Sequence, residues 1–80
     1  MITAYVKLFA TLRQYRPGLG MGEAFPVELS NGATIGDLIQ RLSLPDGEIK
    51  IVFVNGLFRD RTYSLTDRDE VSIFPPVGGG

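Results

Sequence analysis

The feature that most constrains this chain is a single helical stripe set among segments that otherwise alternate. Ile35, Leu38, Ile39 and Leu42 fall at i, i+3, i+4 and i+7, one face of an α-helix. Thr34, three residues ahead of Asp37, supplies a capping-box start, and Pro45 with Asp46-Gly47 supplies the stop. A helix of roughly two and a half turns with one apolar face has to lay that face on another layer. The remaining segments offer strands for it. Ile2, Ala4, Val6 and Leu8 alternate with Thr3, Tyr5, Lys7 and Phe9, the period-two pattern of a half-buried strand. Residues 10–15 suit a short helical turn ended by Pro17. Residues 24–29 form a second strand with Phe25, Val27 and Leu29 on one face, and Pro26 places it at an edge or a bulge.

Residues 49–54 are a β-branched run that reads as a central strand buried on both faces. Asn55-Gly56 is a hairpin turn, because both residues accept positive φ. Residues 57–61 return as a short strand, 65–69 turn, and 70–74 form the last strand, stopped by Pro75-Pro76. The order is β-β-α-β-β-β. It predicts an α+β, β-grasp fold: a mixed sheet of four to five strands with one main helix packed on one face. Residues 1–76 are the expected domain and residues 77–80 a flexible C-terminal glycine tail.

At 80 residues the chain is one domain, burying roughly 60–65% of its unfolded surface, which leaves a thin core and no volume for a deep private active site. Composition narrows the chemistry further. With no Cys there is no disulfide framework, thiolate nucleophile or cysteine metal site, and with no His the usual general base is missing. Eight basic and nine acidic residues give a net charge of −1, so no broad field draws nucleic acid or an anionic membrane. Lys7 interrupts the first apolar run, so Met1 to Leu8 does not read as a secretion signal, and no run approaches the roughly 20 apolar residues of a membrane span. The cytoplasm is the expected location. No tightly bound cofactor or metal is expected, and an enzyme in its own right is not.

Three local patterns have bland readings. Gly18-Leu19-Gly20-Met21-Gly22 lacks the spacing of a dinucleotide fingerprint and no clear helix follows it, so it reads as a plain loop. Asp67, Asp69 and Glu70 read as a solvated turn. Arg59, Arg61 and Arg68, which could lie close together, are a weak nucleic-acid signal and could equally meet an acidic protein.

The C-terminus is different. Pro75-Pro76 ends the last strand and favours extended geometry. Val77-Gly78-Gly79-Gly80 follows, able to reach about 13–14 Å from the body. Consecutive glycines carry no Cβ and can thread a channel too narrow for other residues. The Gly80 carboxylate is a poor acyl donor until adenylation by ATP gives it a better leaving group. Fraying is the competing reading of a bare triglycine. Fixing four free residues in a channel costs roughly 4–8 kcal/mol, so the folded body should dock as well. If Val6, Leu8, Val71 and Ile73 face the helix, Phe9 and Phe74 face away. Their strands are neighbours in a β-grasp sheet, and Leu57 or Phe58 can join them in a docking patch. The competing reading is a small second core under a loop.

The chain resembles a known family over essentially its whole length. Leu65-Thr66-Asp67-Arg68-Asp69-Glu70-Val71-Ser72-Ile73-Phe74-Pro75-Pro76-Val77-Gly78-Gly79-Gly80 resembles the C-terminal signature of the MoaD/ThiS sulfur-carrier family, in particular its molybdopterin synthase small subunits. Phe9-Ala10-Thr11-Leu12-Arg13, Thr34-Ile35-Gly36-Asp37-Leu38 and Val54-Asn55-Gly56 are similar to that family's first turn, helix start and hairpin. The resemblance implies a ubiquitin-like fold and a mechanism. A ubiquitin-activating-type enzyme uses ATP to adenylate Gly80, a sulfurtransferase supplies sulfur, and the resulting thiocarboxylate donates it inside the molybdopterin synthase large subunit. Gly79 is then the obligatory neighbour of Gly80. Phe9, Leu57, Phe58, Phe74, Pro75, Pro76, Val77 and Gly78 are the implied partner contacts. Gly78 stands where Thr, Ser or Ala is common in the molybdopterin branch, and the segment from Gly18 to Gly22 lengthens a connection. A carrier for thiamine or another sulfur-containing metabolite, a modifier joined to lysines, and a binding module with an inert tail stay open.

Overall fold

The computed structural model describes residues 1–76. Five strands and one helix run in the order β1 (Ile2–Leu8), β2 (Phe25–Leu29), α1 (Ile35–Arg41), β3 (Ile51–Val54), β4 (Leu57–Phe58) and β5 (Glu70–Phe74), with 3-10 turns at Ala10–Tyr15 and Asp46–Glu48. The sheet order is β2-β1-β5-β3-β4. β1 pairs antiparallel with β2 and parallel with β5, while β3 pairs antiparallel with both β5 and β4. This is the β-grasp architecture expected from the element order, with first and last strands side by side at its centre.

The strands bury alternate residues. Ala4, Val6 and Leu8 of β1, Val52 and Val54 of β3, and Val71 and Ile73 of β5 meet Ile35, Leu38 and Ile39 of α1 in one core that also takes in Leu12 and Leu44. The capping box is formed: the Asp37 N–H donates to Thr34 Oγ1 at 3.2 Å, and the Thr34 N–H donates to Asp37 Oδ2 at 2.9 Å. The next donors of the helix are taken by the loop after β4, with the Ile35 and Gly36 N–H groups each 3.0 Å from the carbonyls of Tyr63 and Arg61. The helix is shorter than two and a half turns, because Ser43 turns the chain at φ 57° just after it.

Pro26 sits on the edge strand. Tyr5, its partner in register, donates its N–H to the Asp69 carbonyl at 2.8 Å and so bonds away from β2. The N–H that Pro26 lacks therefore falls on the free edge of the sheet, where no ladder bond is lost.

Three expectations are corrected. Residues 49–54 are not a strand buried on both faces: β3 starts at Ile51, Val52 and Val54 are buried, and Ile51 and Phe53 are half-buried on the other face. A single helix covers only one side of the sheet. The strand after the hairpin ends at Phe58 rather than Arg61, since the Asp60 carboxylate accepts from the Thr62 N–H at 2.8 Å and turns the chain toward α1. Asp69 is not solvated: it is 5% exposed and accepts from the Thr66 N–H, the Thr66 hydroxyl and Asn55 Nδ2.

Candidate functional site

The sheet face turned away from α1 is built in rows. Tyr5 stands beside Glu70; Lys7, Ser72, Phe53 and Phe58 form the next row; Phe74 and Ile51 form the one after, and Phe9 continues β1 beside Phe74. The row nearest the chain's exit joins Phe9 and Phe74 to Ile51. Phe9 stays extended, with its N–H 3.2 Å from the Ile73 carbonyl, and Ala10 then breaks away at φ 53°. The rings of Phe9 and Phe74 stack with centroids 4.4 Å apart and planes 8° apart, and Phe53 meets Phe74 edge-on at 5.7 Å. Such pairs are worth about 0.5–1.5 kcal/mol each beyond their buried area, so the three rings hold one another in place. Phe58, opposite Phe53, is 62% exposed at the rim.

Phe9, Phe58 and Phe74 therefore share one face. Leu57 does not share it: it pairs with Val54, whose side chain points into the core, so Leu57 emerges at the opposite rim. The Lys50 N–H donates to the Phe74 carbonyl at 2.9 Å, the last ladder bond before half-buried Pro75 and exposed Pro76. Val77, Gly78, Gly79 and Gly80 lie outside the described residues. Ile51, Phe53, Lys7 and Ser72 belong to the face and were not singled out from the sequence. Parity would have found them, because a residue between two that face a lone helix must face away.

The other candidate patterns do not assemble into sites. Arg61 pairs with Asp46 at 2.9 Å and reaches the Ile49 carbonyl near the end of β5, Arg59 lies over the Tyr63 ring at 4.7 Å, and Arg68 sits by Asp67 at the start of β5. Each of the three arginines is engaged with a neighbour of its own. In the glycine loop, the Gly20 N–H donates to the Glu23 carboxylate at 2.7 Å, a local acceptor where a phosphate would have to bind. Among the described residues no group of carboxylates could hold a metal ion, and no helix is long and apolar enough to cross a membrane. A cavity of about 360 Å³ lies by Glu28, Asp37 and Arg41, and none of its lining residues belongs to the aromatic rows.

A mixed five-stranded sheet grasping one helix, with an aromatic patch at the C-terminal end of its last strand, defines a small ubiquitin-like protein. The chain belongs to the ThiS family, whose model matches residues 6–80. Among solved structures it is similar to a provisionally named molybdopterin converting factor subunit 1 from Pyrococcus furiosus, at 28% identity and a TM-score of 0.75 over 96% of this chain and 100% of that one. It is equally similar to small archaeal modifier protein 1 of Haloferax volcanii, at 25% identity and a TM-score of 0.75 with the same coverage. The fold also matches the complex of subunits 1 and 2 of molybdopterin-converting factor from Helicobacter pylori 26695, at 21% identity and a TM-score of 0.64 over 99% and 100%. No curated protein matches the sequence significantly.

Proposed function

We propose that this chain is a sulfur carrier for molybdopterin biosynthesis, working through the α-carboxylate of Gly80 as a co-substrate rather than an enzyme. The observation that carries the carrier reading is the reach of the family match, which runs through Gly79 to Gly80 instead of stopping with the folded body, and the likeness to the Pyrococcus furiosus subunit supports molybdopterin as its end. The carboxylate attacks the α-phosphorus of ATP in a ubiquitin-activating-type enzyme, and pyrophosphate leaves. Persulfide sulfur on a sulfurtransferase then adds to the acyl carbon and expels AMP, and a thiol reductant cleaves the resulting acyl disulfide, leaving a thiocarboxylate for a molybdopterin synthase large subunit to use and a disulfide on the donor. The Helicobacter pylori complex supports that last partner by fold.

The chain's own residues would do two things. Gly78 and Gly79 present no Cβ to a narrow channel. The aromatic face would dock the body, offsetting the roughly 4–8 kcal/mol of ordering that the tail costs. Phe9, Phe58, Phe74, Pro75 and Pro76 are then contacts, with Leu57 at the far rim. A second reading is a protein modifier, supported by the likeness to the Haloferax volcanii modifier. It uses the same activation and ends in an isopeptide with a lysine. Appending one residue after Gly80 tests the shared step. ATP–pyrophosphate exchange by the activating enzyme should be lost with the fold intact, and retained exchange contradicts both readings. An isopeptide ladder that disappears without Gly79-Gly80 selects the second.

A further inference from the structure

Lys7 is a cation set inside the aromatic face. Val6 and Leu8 are buried toward α1, which turns Lys7 to the other side between Tyr5 and Phe9. Across the sheet its row continues through Ser72, Phe53 and Phe58. Lys7 is half-buried, and the two ion pairs formed among the described residues, Arg61–Asp46 and Arg68–Asp67, do not include it. Glu70, the carboxylate of β5 on this face, is exposed one row away beside Tyr5.

A surface that reaches from Phe9 and Phe74 across to Phe53 runs along the row that holds Lys7. An ammonium stripped of water without a counter-charge is strongly unfavourable, whereas one that meets a carboxylate fixes the register of the two surfaces. We propose that Lys7 is a specificity-determining contact, and that the activating enzyme, docking on this face, presents an Asp or Glu carboxylate to it. That carboxylate would stand about 7 Å, two residues along a strand, from the apolar surface that covers Phe9 and Phe74. The proposal rests on reading the open face as the docking face. It adds the chemistry of the partner: apolar toward the chain's exit and acidic one row in. A wholly apolar partner would be rejected.

The test is calorimetric titration of the full-length chain with the purified ubiquitin-activating-type adenylating enzyme of the same organism, at low and high salt. Thermal unfolding of each variant confirms that it is folded. Lys7→Met should weaken binding by about 30-fold or more, because it leaves the partner's carboxylate covered and unpaired. Lys7→Arg should stay within about threefold of the parent, and Lys7→Glu should bind more weakly than Lys7→Met. The salt dependence of the parent should shrink in Lys7→Met. Binding of Lys7→Met as tight as the parent, or tighter, overturns the proposal. Phe74→Ala separates the two claims. If it loses binding while Lys7→Met does not, the pairing of Lys7 fails and the docking face stands. If neither loses binding, both fail.

Discussion

Asn55 reaches from the β3–β4 turn and donates its side-chain N–H to Asp69 at 2.9 Å, tying the hairpin to the foot of β5. Its carbonyl oxygen accepts from the Glu70 N–H at 2.9 Å, and its own N–H donates to the Glu70 carbonyl at 2.8 Å. Asn55 holds φ at 52°, a conformation Asn tolerates better than most residues. One residue thus shapes the turn and clamps it to the central strand that leads to Pro75. Asp69→Ala should lower stability by about 1–3 kcal/mol, since the Thr66 N–H and the Asn55 amide lose their acceptor in a part-buried place. Asp69→Asn should cost about 1–3 kcal/mol, because whichever way its amide turns its NH2 meets at least one donor, the Thr66 N–H or the Asn55 amide. Denaturant unfolding measures both, and a loss below about 0.5 kcal/mol for either would show that the network contributes little.

Phe74 carries the stack with Phe9 and the edge contact with Phe53. Phe74→Ala should cost about 1–3 kcal/mol of folding stability, less than a fully buried Phe, and should leave the domain folded. Binding to the activating enzyme should fall by a larger factor than folding does. Outright unfolding of Phe74→Ala would assign the ring to a second core instead of a docking face.

Tyr15 donates to both carboxylate oxygens of Glu48 at 2.9 Å, joining the two 3-10 turns. That hydrogen bond, with some desolvation and the carboxylate's charge, raises its ionisation above the usual value of 10.0. The folded-state value is the higher one. The contribution is therefore complete below about pH 10 and is lost as pH rises through the folded-state value. Tyr15→Phe should lower neutral stability slightly and flatten the alkaline fall by that same small amount, because the pair is at the surface. An unchanged alkaline limb in the variant would contradict the assignment.

What the sequence disclosed and what it hid follow from the range of each signal. The stripe of Ile35, Leu38 and Ile39, the box of Thr34 and Asp37, and the positive-φ pair Asn55-Gly56 act within a few residues, and each is present. Phe9 and Phe74 were placed by alternation alone, and they stack. Phe53 was hidden because β-branched and aromatic neighbours mask the period-two pattern of β3. Leu57 was ambiguous until pairing with Val54 fixed its parity. Asp69 looked like a solvated turn residue because its donor Asn55 lies 14 positions away.

The central claim concerns one functional group, the carboxylate of Gly80, and intact-mass measurement tests it most directly. The chain is co-expressed with the activating enzyme and a sulfur source, then compared with a variant lacking Gly80. One C-terminal oxygen is expected to be replaced by sulfur in the full chain and not in the variant. An unchanged mass, together with full biological activity of the variant, would contradict it.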